Sequence, residues 1–248
     1  MTPFRSIVLT GASSGIGAAL ARDYASKSVR LALIGRDATR LADVATACRD
    51  KGADVATATI DITERATLEA WLQRQDAERA VDLVIANAGV ALEKGRDLGD
   101  GESLRRTMAI NVDGTLNTIL PLLPAMRARR VGQIGIVSSL AGFFGLPQAA
   151  GYNASKAAGR VLAESLRIQL KADKVGVSAI CPGFVESAIT RGNSFPMPFL
   201  MTAERASNII RRGLAQNRAR IAFPLPTKAA VWLGMALPGG LTSRLLGG

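Results

Sequence analysis

The stretch SIVLTGASSGIGAAL, residues 6–20, runs from a short apolar segment through a glycine-rich turn into a helical pattern. Its first five residues have the composition of a buried strand, and the pattern from Gly15 onward is that of a helix. Glycines at such a turn allow a tight bend and a close approach of the backbone to a phosphate, while the start of the helix offers free N–H groups. The stretch therefore predicts a pyrophosphate site at the first turn of an α/β sheet. The turn residues expected to contact the phosphates are Gly11, Ser13, Ser14, Gly15, Ile16 and Gly17.

The rest of the chain repeats this alternation of strand and helix almost from end to end. Short runs rich in Val and Ile predict further strands at 29–34, 54–60, 81–86, 133–137 and 175–181. Helical patterns lie near 15–27, 38–51, 63–79, 102–129 and 152–172, with Asp37 and Thr63 as expected N-caps of the second and third helices. The alternation predicts a Rossmann-like α/β fold, with a doubly wound parallel sheet in one domain spanning residues 1–248.

The composition excludes several kinds of catalytic site, because the 248 residues include no histidine. A Ser–His–acid triad and a histidine metal site are ruled out, and we expect no metal. The two cysteines, Cys48 and Cys181, lie far apart in core-like segments, which favours a reduced cytoplasmic setting. The first residues lack a signal-peptide pattern, and the apolar run 229–237 is shorter than the roughly 20 residues of a membrane span.

The net charge of +11 is spread unevenly, since Glu204 is the single acid after Arg191. A basic surface suits nucleic acid, anionic lipid or an anionic cofactor, or is simply a solvated face. No aromatic residues are interleaved with the basic ones in a repeat, so we expect no nucleic-acid partner.

The end of the second predicted strand bears on which dinucleotide is bound. Folds that prefer a free 2′-hydroxyl on the adenosine ribose place an acid there. This chain has Gly35 followed by Arg36, whose guanidinium suits a 2′-phosphate. Asp37 comes next, and we assign it to the helix cap, pointing away from the ribose. The pattern favours NADP(H) over NAD(H).

The chain resembles the short-chain dehydrogenase/reductase family over residues 5 to about 190, three-quarters of its length. The motifs that carry the resemblance, in the family's order and spacing, are Thr10-Gly11-x-x-x-Gly15-x-Gly17, Asn87-Ala88-Gly89, Asn111, Ser139, Tyr152-x-x-x-Lys156 and Pro182-Gly183.

The resemblance implies further contacts with the cofactor. Asn87-Ala88-Gly89 would pass under its ribose and stabilise the central strand, and Asp61 and Ile62 would meet the adenine ring. The segment PGFVES at 182–187 would run along the nicotinamide, with the backbone of Val185 at the carboxamide. Ser187 stands where the family usually has threonine.

Proton transfer without histidine needs another group, and Tyr152 and Lys156 are spaced for it. Residues four apart share a helix face, and an ammonium at about 4 Å favours a phenolate by ~4 kcal/mol at an effective dielectric constant of about 20. We expect this attraction to lower the pKa of Tyr152 to about 7, so that the phenol serves as general acid and base. Ser139, at the carboxyl end of the fifth strand, would bond the substrate oxygen, whereas alternation turns Ser138 to the other face. By the resemblance, Lys156 also holds the nicotinamide ribose and Asn111 supports a proton-relaying water.

The substrate pocket is expected to be apolar. Its candidate lining residues are Phe143, Phe144, Leu146, Phe184 and the apolar side chains of 188–201. That irregular segment is either a lid over the site or a plain surface connection. Since no charged partner is required near the carbonyl, the expected substrate is an apolar ketone or its secondary alcohol.

The segment 202–248 departs from the family pattern, in which a glycine-rich end near a last strand packs against a neighbouring subunit. We therefore expect either a homodimer, through the helices at 102–129 and 152–172, or the usual homotetramer. This basic, apolar segment could alternatively rest on a membrane surface as a peripheral contact, cover the pocket, or pack onto its own core.

Three functions remain open at this point. The leading one is an enzyme that transfers hydride between NADP(H) and a carbonyl or secondary alcohol. The second is an NAD-dependent alcohol dehydrogenase, and the third is a non-catalytic nucleotide sensor or interaction protein on the same fold. Each candidate residue taken singly has a structural explanation, but Ser139, Tyr152 and Lys156 together argue against the third function.

Overall fold

The computed structural model describes residues 4–92, 101–146, 149–187, 189–191 and 196–236. Its centre is a parallel sheet of seven strands in the order β3-β2-β1-β4-β5-β6-β7. The strands are β1 (Ser6–Thr10), β2 (Arg30–Gly35), β3 (Asp54–Thr59), β4 (Leu83–Ala86), β5 (Gly132–Val137), β6 (Val175–Pro182) and β7 (Arg220–Phe223). The order reverses between β1 and β4, and a crevice forms at that point in sheets of this kind.

Helices cover both faces of the sheet. They are α1 (Gly15–Tyr24), α2 (Ala38–Arg49), α3 (Arg65–Glu78), α4 (Glu102–Met108), α5 (Gly114–Ile119), α6 (Leu123–Arg129), α7 (Ala150–Gln169), α8 (Ala203–Ala215) and α9 (Leu225–Ala236). Alternation along β1 sends Ile7 and Leu9 into the core under α1, α2 and α8, while Val8 joins the core under α3 and α7. The predicted doubly wound parallel sheet is thereby confirmed.

The predicted helix at 102–129 is not continuous. It is interrupted by a π-helical turn at Ala109–Asp113 and by a break between Ile119 and Leu123, where Pro121 has no N–H to donate. The π-helical turn widens the backbone at Asn111, a residue that the sequence places in the candidate site.

The two predicted helix caps have different outcomes. Asp37 is the N-cap of α2, and its carboxylate accepts a hydrogen bond from the backbone N–H of Arg40 at 2.9 Å. The prediction for Thr63 is wrong, because α3 begins two residues later and Glu64 precedes it. The Thr63 hydroxyl instead donates to the Asp61 carboxylate at 2.8 Å.

The elements β7, α8 and α9 extend the fold beyond the predicted ones. α8 packs against α1, and α9 follows β7 and covers the sheet through Val231. Within the described ranges, no helix combines the length and apolar character that crossing a bilayer requires.

Candidate active site

The glycine turn after β1 is built so that only glycine fits at its key positions. Gly11 and Gly15 have φ values of +67° and +52°, where a side chain would be strained. A Cβ at Gly17 would lie 2.1 Å from the carbonyl oxygen of Gly11, so α1 can start this close to the turn only without one. The N-cap residue Ser14 makes no side-chain capping bond. The first-turn N–H groups of α1 therefore remain available for a pyrophosphate, and this cradle fits a dinucleotide.

Asn87, just after β4, fastens the turn to the centre of the sheet. Its side-chain amide donates to the Thr10 carbonyl at 2.9 Å and to the Gly11 carbonyl at 3.3 Å. The Thr10 hydroxyl in return accepts from the backbone N–H groups of Asn87 and Ala88 at 3.1 and 3.2 Å. Thr10 therefore positions the segment that was expected to pass under the ribose.

Charged side chains surround the end of the cleft at β2 and β3. The Arg36 guanidinium faces the Asp61 carboxylate at 3.7 Å. Arg40, one helical turn further along, is held by Asp37 through a 2.7 Å bond from its Nε. Desolvation raises the pKa of Asp61, but the hydrogen bonds from Thr63 and the positive charge of Arg36 outweigh it and lower the pKa overall. The pKa of Asp37 is lowered as well, by its hydrogen bonds from Arg40, so this end of the cleft carries two carboxylates and two guanidinium groups.

Ser139 and Tyr152 meet at the carboxyl end of β5, where their side chains are hydrogen-bonded to each other. The Ser139 hydroxyl also accepts from the Ala141 N–H at 3.1 Å and lies 3.4 Å from the Pro182 carbonyl. Ser138 has a different task, since its hydroxyl donates to the Lys156 carbonyl at 2.6 Å. Of the two neighbouring serines, Ser139 is the one whose hydroxyl adjoins the phenol.

Lys156 lies one turn after Tyr152 on α7, and its ammonium is 5.6 Å from the centre of the Tyr152 ring. It donates to the Val137 carbonyl at 3.0 Å, and a Cβ added to Gly89 would lie 3.0 Å from its Nζ. Burial lowers the pKa of Lys156 to about 8.

The expectation that Lys156 brings the pKa of Tyr152 down to about 7 is wrong. Desolvation is the largest influence on the phenol and raises its pKa, and the hydrogen bond from Ser139 offsets only part of that rise. The ammonium donates to the Val137 carbonyl and lies 5.6 Å from the centre of the Tyr152 ring.

Asn111 is buried in the π-helical turn, and its side chain ties three elements together. Its amide oxygen accepts from the Val90 N–H at 2.8 Å, and its amide nitrogen donates to the Val90 carbonyl at 2.8 Å and to the Ser155 hydroxyl at 2.9 Å. Its backbone carbonyl accepts from the Thr115 hydroxyl at 2.7 Å. Asn111 thus joins the segment after β4 to α7.

The segment after β6 is held by Thr190, a residue that the sequence reasoning did not single out. The Thr190 hydroxyl donates to the Val185 carbonyl at 2.9 Å and accepts from the Ser187 N–H at 2.9 Å. Val185 also pairs with Met201 across an isolated parallel bridge. Residues 188 and 192–195 of the expected lid lie outside the described ranges.

These elements enclose a cleft of about 640 Å³ at the carboxyl edge of the sheet. The expected site residues that line it are Gly11, Ser13, Ser14, Gly15, Ile16, Arg36, Asp61, Ile62, Asn87, Ala88, Gly89, Ser139, Tyr152, Lys156, Pro182, Gly183, Val185 and Ser187. Gly17 and Asn111 lie behind this lining and support it. Asp37 and Arg40 also line the cleft, although neither was expected there, whereas Ile189 is one of the expected apolar side chains of 188–201.

The four expected pocket residues Phe143, Phe144, Leu146 and Phe184 do not line this cleft. The Phe143 ring instead contacts the guanidinium groups of Arg160 and Arg220, which lie 4.7 and 5.3 Å from its centre. Both arginines also contact Glu164. β7 carries Arg220, and because that strand was not predicted, an aromatic residue that anchors the loop after Ser139 was interpreted as a pocket wall.

The family sequence model described as "short chain dehydrogenase" matches residues 5–195. An "Uncharacterized oxidoreductase" from Myxococcus xanthus is 38% identical over 240 residues, which cover 96% of this chain and 94% of the relative. Among solved structures, a short-chain dehydrogenase from Sphingobium yanoikuyae in complex with NADPH superposes with a TM-score of 0.82 at 24% identity, over 95% of this chain and 97% of the other. A short-chain dehydrogenase from Mycobacterium paratuberculosis bound to NAD gives a TM-score of 0.79 at 23% identity, over 88% and 94%. With its sheet order, its glycine turn and a match over residues 5–195, the chain belongs to the short-chain dehydrogenase family of oxidoreductases.

Proposed function

We propose that the protein is an NADP(H)-dependent carbonyl reductase that acts on an apolar ketone, or on the corresponding secondary alcohol in reverse. The observation that supports this most directly is that Ser139, Tyr152 and Lys156 line the same cleft as the glycine turn. A nicotinamide bound along this cleft supplies or accepts the hydride. Binding, orientation and proton transfer fall to the residues of this chain.

In the reductive direction, the Tyr152 phenol donates its proton to the substrate oxygen. Burial favours this role, because a raised pKa keeps the phenol protonated at neutral pH. The hydroxyl of Ser139 donates a second hydrogen bond to the same oxygen and polarises the carbonyl. The phenolate left behind is favoured by the positive charge of the nearby Lys156 ammonium.

Lys156 has two tasks in this proposal. Its ammonium favours the phenolate, and it holds the nicotinamide ribose next to Gly89. Asn111 acts on the site through its neighbours, since its bonds to Val90 and Ser155 keep α7 in register with the segment after β4.

The preference for NADP(H) is supported by Arg36 and Arg40 at the adenosine end. Asp37 is committed to capping α2 and to holding Arg40, so its carboxylate does not compete for a ribose 2′-hydroxyl. The Arg36 guanidinium is half-exposed and only loosely paired with Asp61 at 3.7 Å, which suits it to a 2′-phosphate.

The apolar nature of the substrate is supported by the composition of the cleft next to Tyr152. The side chains of Val90, Leu92 and Ile189 belong to the lining, whereas the charged residues gather at the far end. A compact ketone carrying hydrocarbon on both sides of its carbonyl fits such a lining.

The test is a panel of apolar ketones and secondary alcohols, followed by nicotinamide absorbance with NADPH and NADH in parallel. We expect turnover with NADPH and a loss of about 10²–10⁴-fold in kcat for Tyr152→Phe. Tyr24→Phe is the matched control, because Tyr24 is buried far from the cleft lining and its hydroxyl has no hydrogen-bond partner among the described residues. Full turnover of Tyr152→Phe would contradict the assignment of the acid.

The same panel separates the two other functions. Preferential oxidation of alcohols with NAD, unaffected by Arg36→Ala, would favour the NAD-dependent dehydrogenase. Nucleotide binding without turnover on any member of the panel would favour the non-catalytic sensor.

We also propose that two copies associate through α7. Its outward stripe consists of Ala154, Ala158, Val161, Ser165 and Ile168, with no charged residue. Ile168 is 77% exposed, and Leu120, at the end of α5, adds a further exposed apolar side chain. An uncharged stripe at helical spacing can pack against its own copy about a two-fold axis.

A further inference from the structure

The outward face of α9 is apolar throughout. The helix reads LPTKAAVWLGMA and contains no acid and one base, Lys228. Leu225, Trp232, Leu233 and Met235 are 72%, 46%, 70% and 51% exposed, and the side chains of Ala229 and Ala230 between them are exposed as well. Val231 alone among the larger side chains of α9 points into the core. A helix on the surface of a protein usually has the opposite arrangement.

Lys228 lies at the border of this apolar face. Its ammonium is 4.2 Å from the centre of the Trp232 ring, so the cation and the indole form one amphipathic unit. Tryptophan and lysine side chains of this kind are enriched at the boundary between lipid and water, where the ring enters the headgroup layer and the ammonium remains hydrated.

The charge of the chain indicates what kind of partner binds the apolar face of α9. The net charge is +11, and no Asp or Glu follows Glu204 in the sequence. A positive protein is drawn to anionic lipid headgroups. A second copy has the uncharged stripe of α7 to pack against. We propose that the outward face of α9 docks on an anionic lipid surface, with Trp232 and Leu233 entering the headgroup layer and Lys228 at their edge.

The position of α9 would bring the cleft side of the sheet close to the lipid surface. The helix begins directly after β7, at the carboxyl edge of the sheet. Phe144, in the loop after Ser139, lies close to α9, since a Cβ added to Gly234 would be 3.9 Å from the Phe144 ring. Phe199 and Leu200, on the segment that leads to α8, are exposed apolar side chains as well. An apolar ketone dissolved in lipid would then meet the protein on the side of the sheet where the cleft lies. The docking itself does not depend on the proposed reaction.

The experiment measures binding of the full chain to vesicles of phosphatidylcholine alone and of phosphatidylcholine with about 30% phosphatidylglycerol. The sequence contains two tryptophans, so Trp71→Phe leaves Trp232 as the single indole reporter. We expect co-sedimentation with the anionic vesicles at least about fivefold above that with the neutral ones, weakening at high salt, together with a blue shift of the Trp232 emission.

Leu233→Glu places a negative charge in the centre of the face and should reduce binding to anionic vesicles at least about tenfold. Val131→Glu is the matched control, since Val131 is an exposed apolar residue that precedes β5 and lies away from α9. This variant should bind anionic vesicles as strongly as the unmodified chain. Unchanged Trp232 emission, or equal binding of both variants, would overturn the proposal. An assembly of the unmodified chain that Leu233→Glu dissociates, without vesicle binding, would assign the face to a second copy instead.

Discussion

Tyr152 and Lys156 share one desolvated wall of the cleft, and burial acts on their pKa values in opposite directions. It raises the pKa of the phenol and lowers that of the ammonium to about 8. Each group is therefore shifted toward its neutral form. Near neutral pH the ammonium still carries its proton, because its pKa lies about one unit higher.

The lowered pKa of Lys156 makes cofactor affinity depend on pH. Lys156 is mainly protonated below about pH 8 and loses its charge above that value, so the hydrogen bonds it donates to a ribose weaken as pH rises. We expect the Kd for NADPH, measured by nucleotide fluorescence, to rise by up to about tenfold between about pH 7 and about pH 9. Lys156→Met should bind more weakly and show a flat profile over this range. A rise of equal size in Lys156→Met would assign the titration to another group.

Arg36 offers the sharpest test of cofactor preference. It is half-exposed and only loosely paired with Asp61 at 3.7 Å, so its guanidinium is available to a 2′-phosphate. Loss of one charge-assisted contact predicts that Arg36→Ala raises the Kd for NADPH about 10–100-fold and leaves the Kd for NADH nearly unchanged. Arg49→Ala, at the far end of α2, is the control and should change neither value. An equal loss for both nucleotides would speak against a role in discrimination.

At the scale of elements, two glycines in helices should respond to alanine with opposite signs. A Cβ at Gly17 would lie 2.1 Å from the Gly11 carbonyl oxygen, a contact that requires α1 and the turn to separate. A Cβ at Gly159, inside α7, meets only Ile136 at an ordinary 3.6 Å. We expect Gly17→Ala to lower the free energy of unfolding by about 2–3 kcal/mol and Gly159→Ala to raise it by about 0.5–1 kcal/mol.

Urea denaturation of the two variants beside the unmodified chain measures both changes. A Gly17→Ala variant as stable as the parent would mean that the close approach of α1 to the turn is not required for folding.

Elements that follow one repeating pattern were predictable from the sequence, and irregular ones were not. β1 ends at Thr10 as predicted, because a buried parallel strand bounded by glycine leaves little choice of ends. The interruption at 109–113 has no signature in the hydrophobic spacing, since π-helical and α-helical turns bury the same residue types. β7 is four residues long, with an exposed Arg220 at its start, and resembles a loop until it is paired with β6.

In the candidate site, too, some features were predictable from the sequence and others were not. Residues fixed by motif spacing, such as Gly15 and Lys156, lie at the cleft. The positive φ of Gly15 permits few substitutes, and the four-residue helical spacing puts Lys156 beside Tyr152. The acidity of Tyr152 was not predictable, because it depends on burial that only the tertiary structure supplies. Thr190 could have been noticed as a hydroxyl near Ser187, but its partners arise from a turn that the sequence pattern does not specify.

At the scale of the whole molecule, parallel strands bring distant parts of the chain to one edge. Gly15, Asn87, Ser139 and Ser187 follow four different strands, and all four residues line the same cleft because the carboxyl ends of parallel strands coincide. Two exposed surfaces described above lie outside this cleft: the apolar face of α9, beside this edge, and the uncharged stripe of α7. These two faces should therefore respond independently to mutation.

The stripe on α7 predicts a dimer that one charge can dissociate. Ile168 is 77% exposed, and a two-fold axis along α7 would bring it near its own copy, so Ile168→Glu buries two like charges in an apolar contact. We expect light scattering coupled to size exclusion to give a dimer mass for the parent and a monomer mass for Ile168→Glu at micromolar concentration. Asn208→Glu adds the same charge on α8, across the sheet, and should remain dimeric. A parent that is monomeric at every concentration would rule out this interface, and an Ile168→Glu variant with the mass of the parent would place the contact elsewhere on the surface.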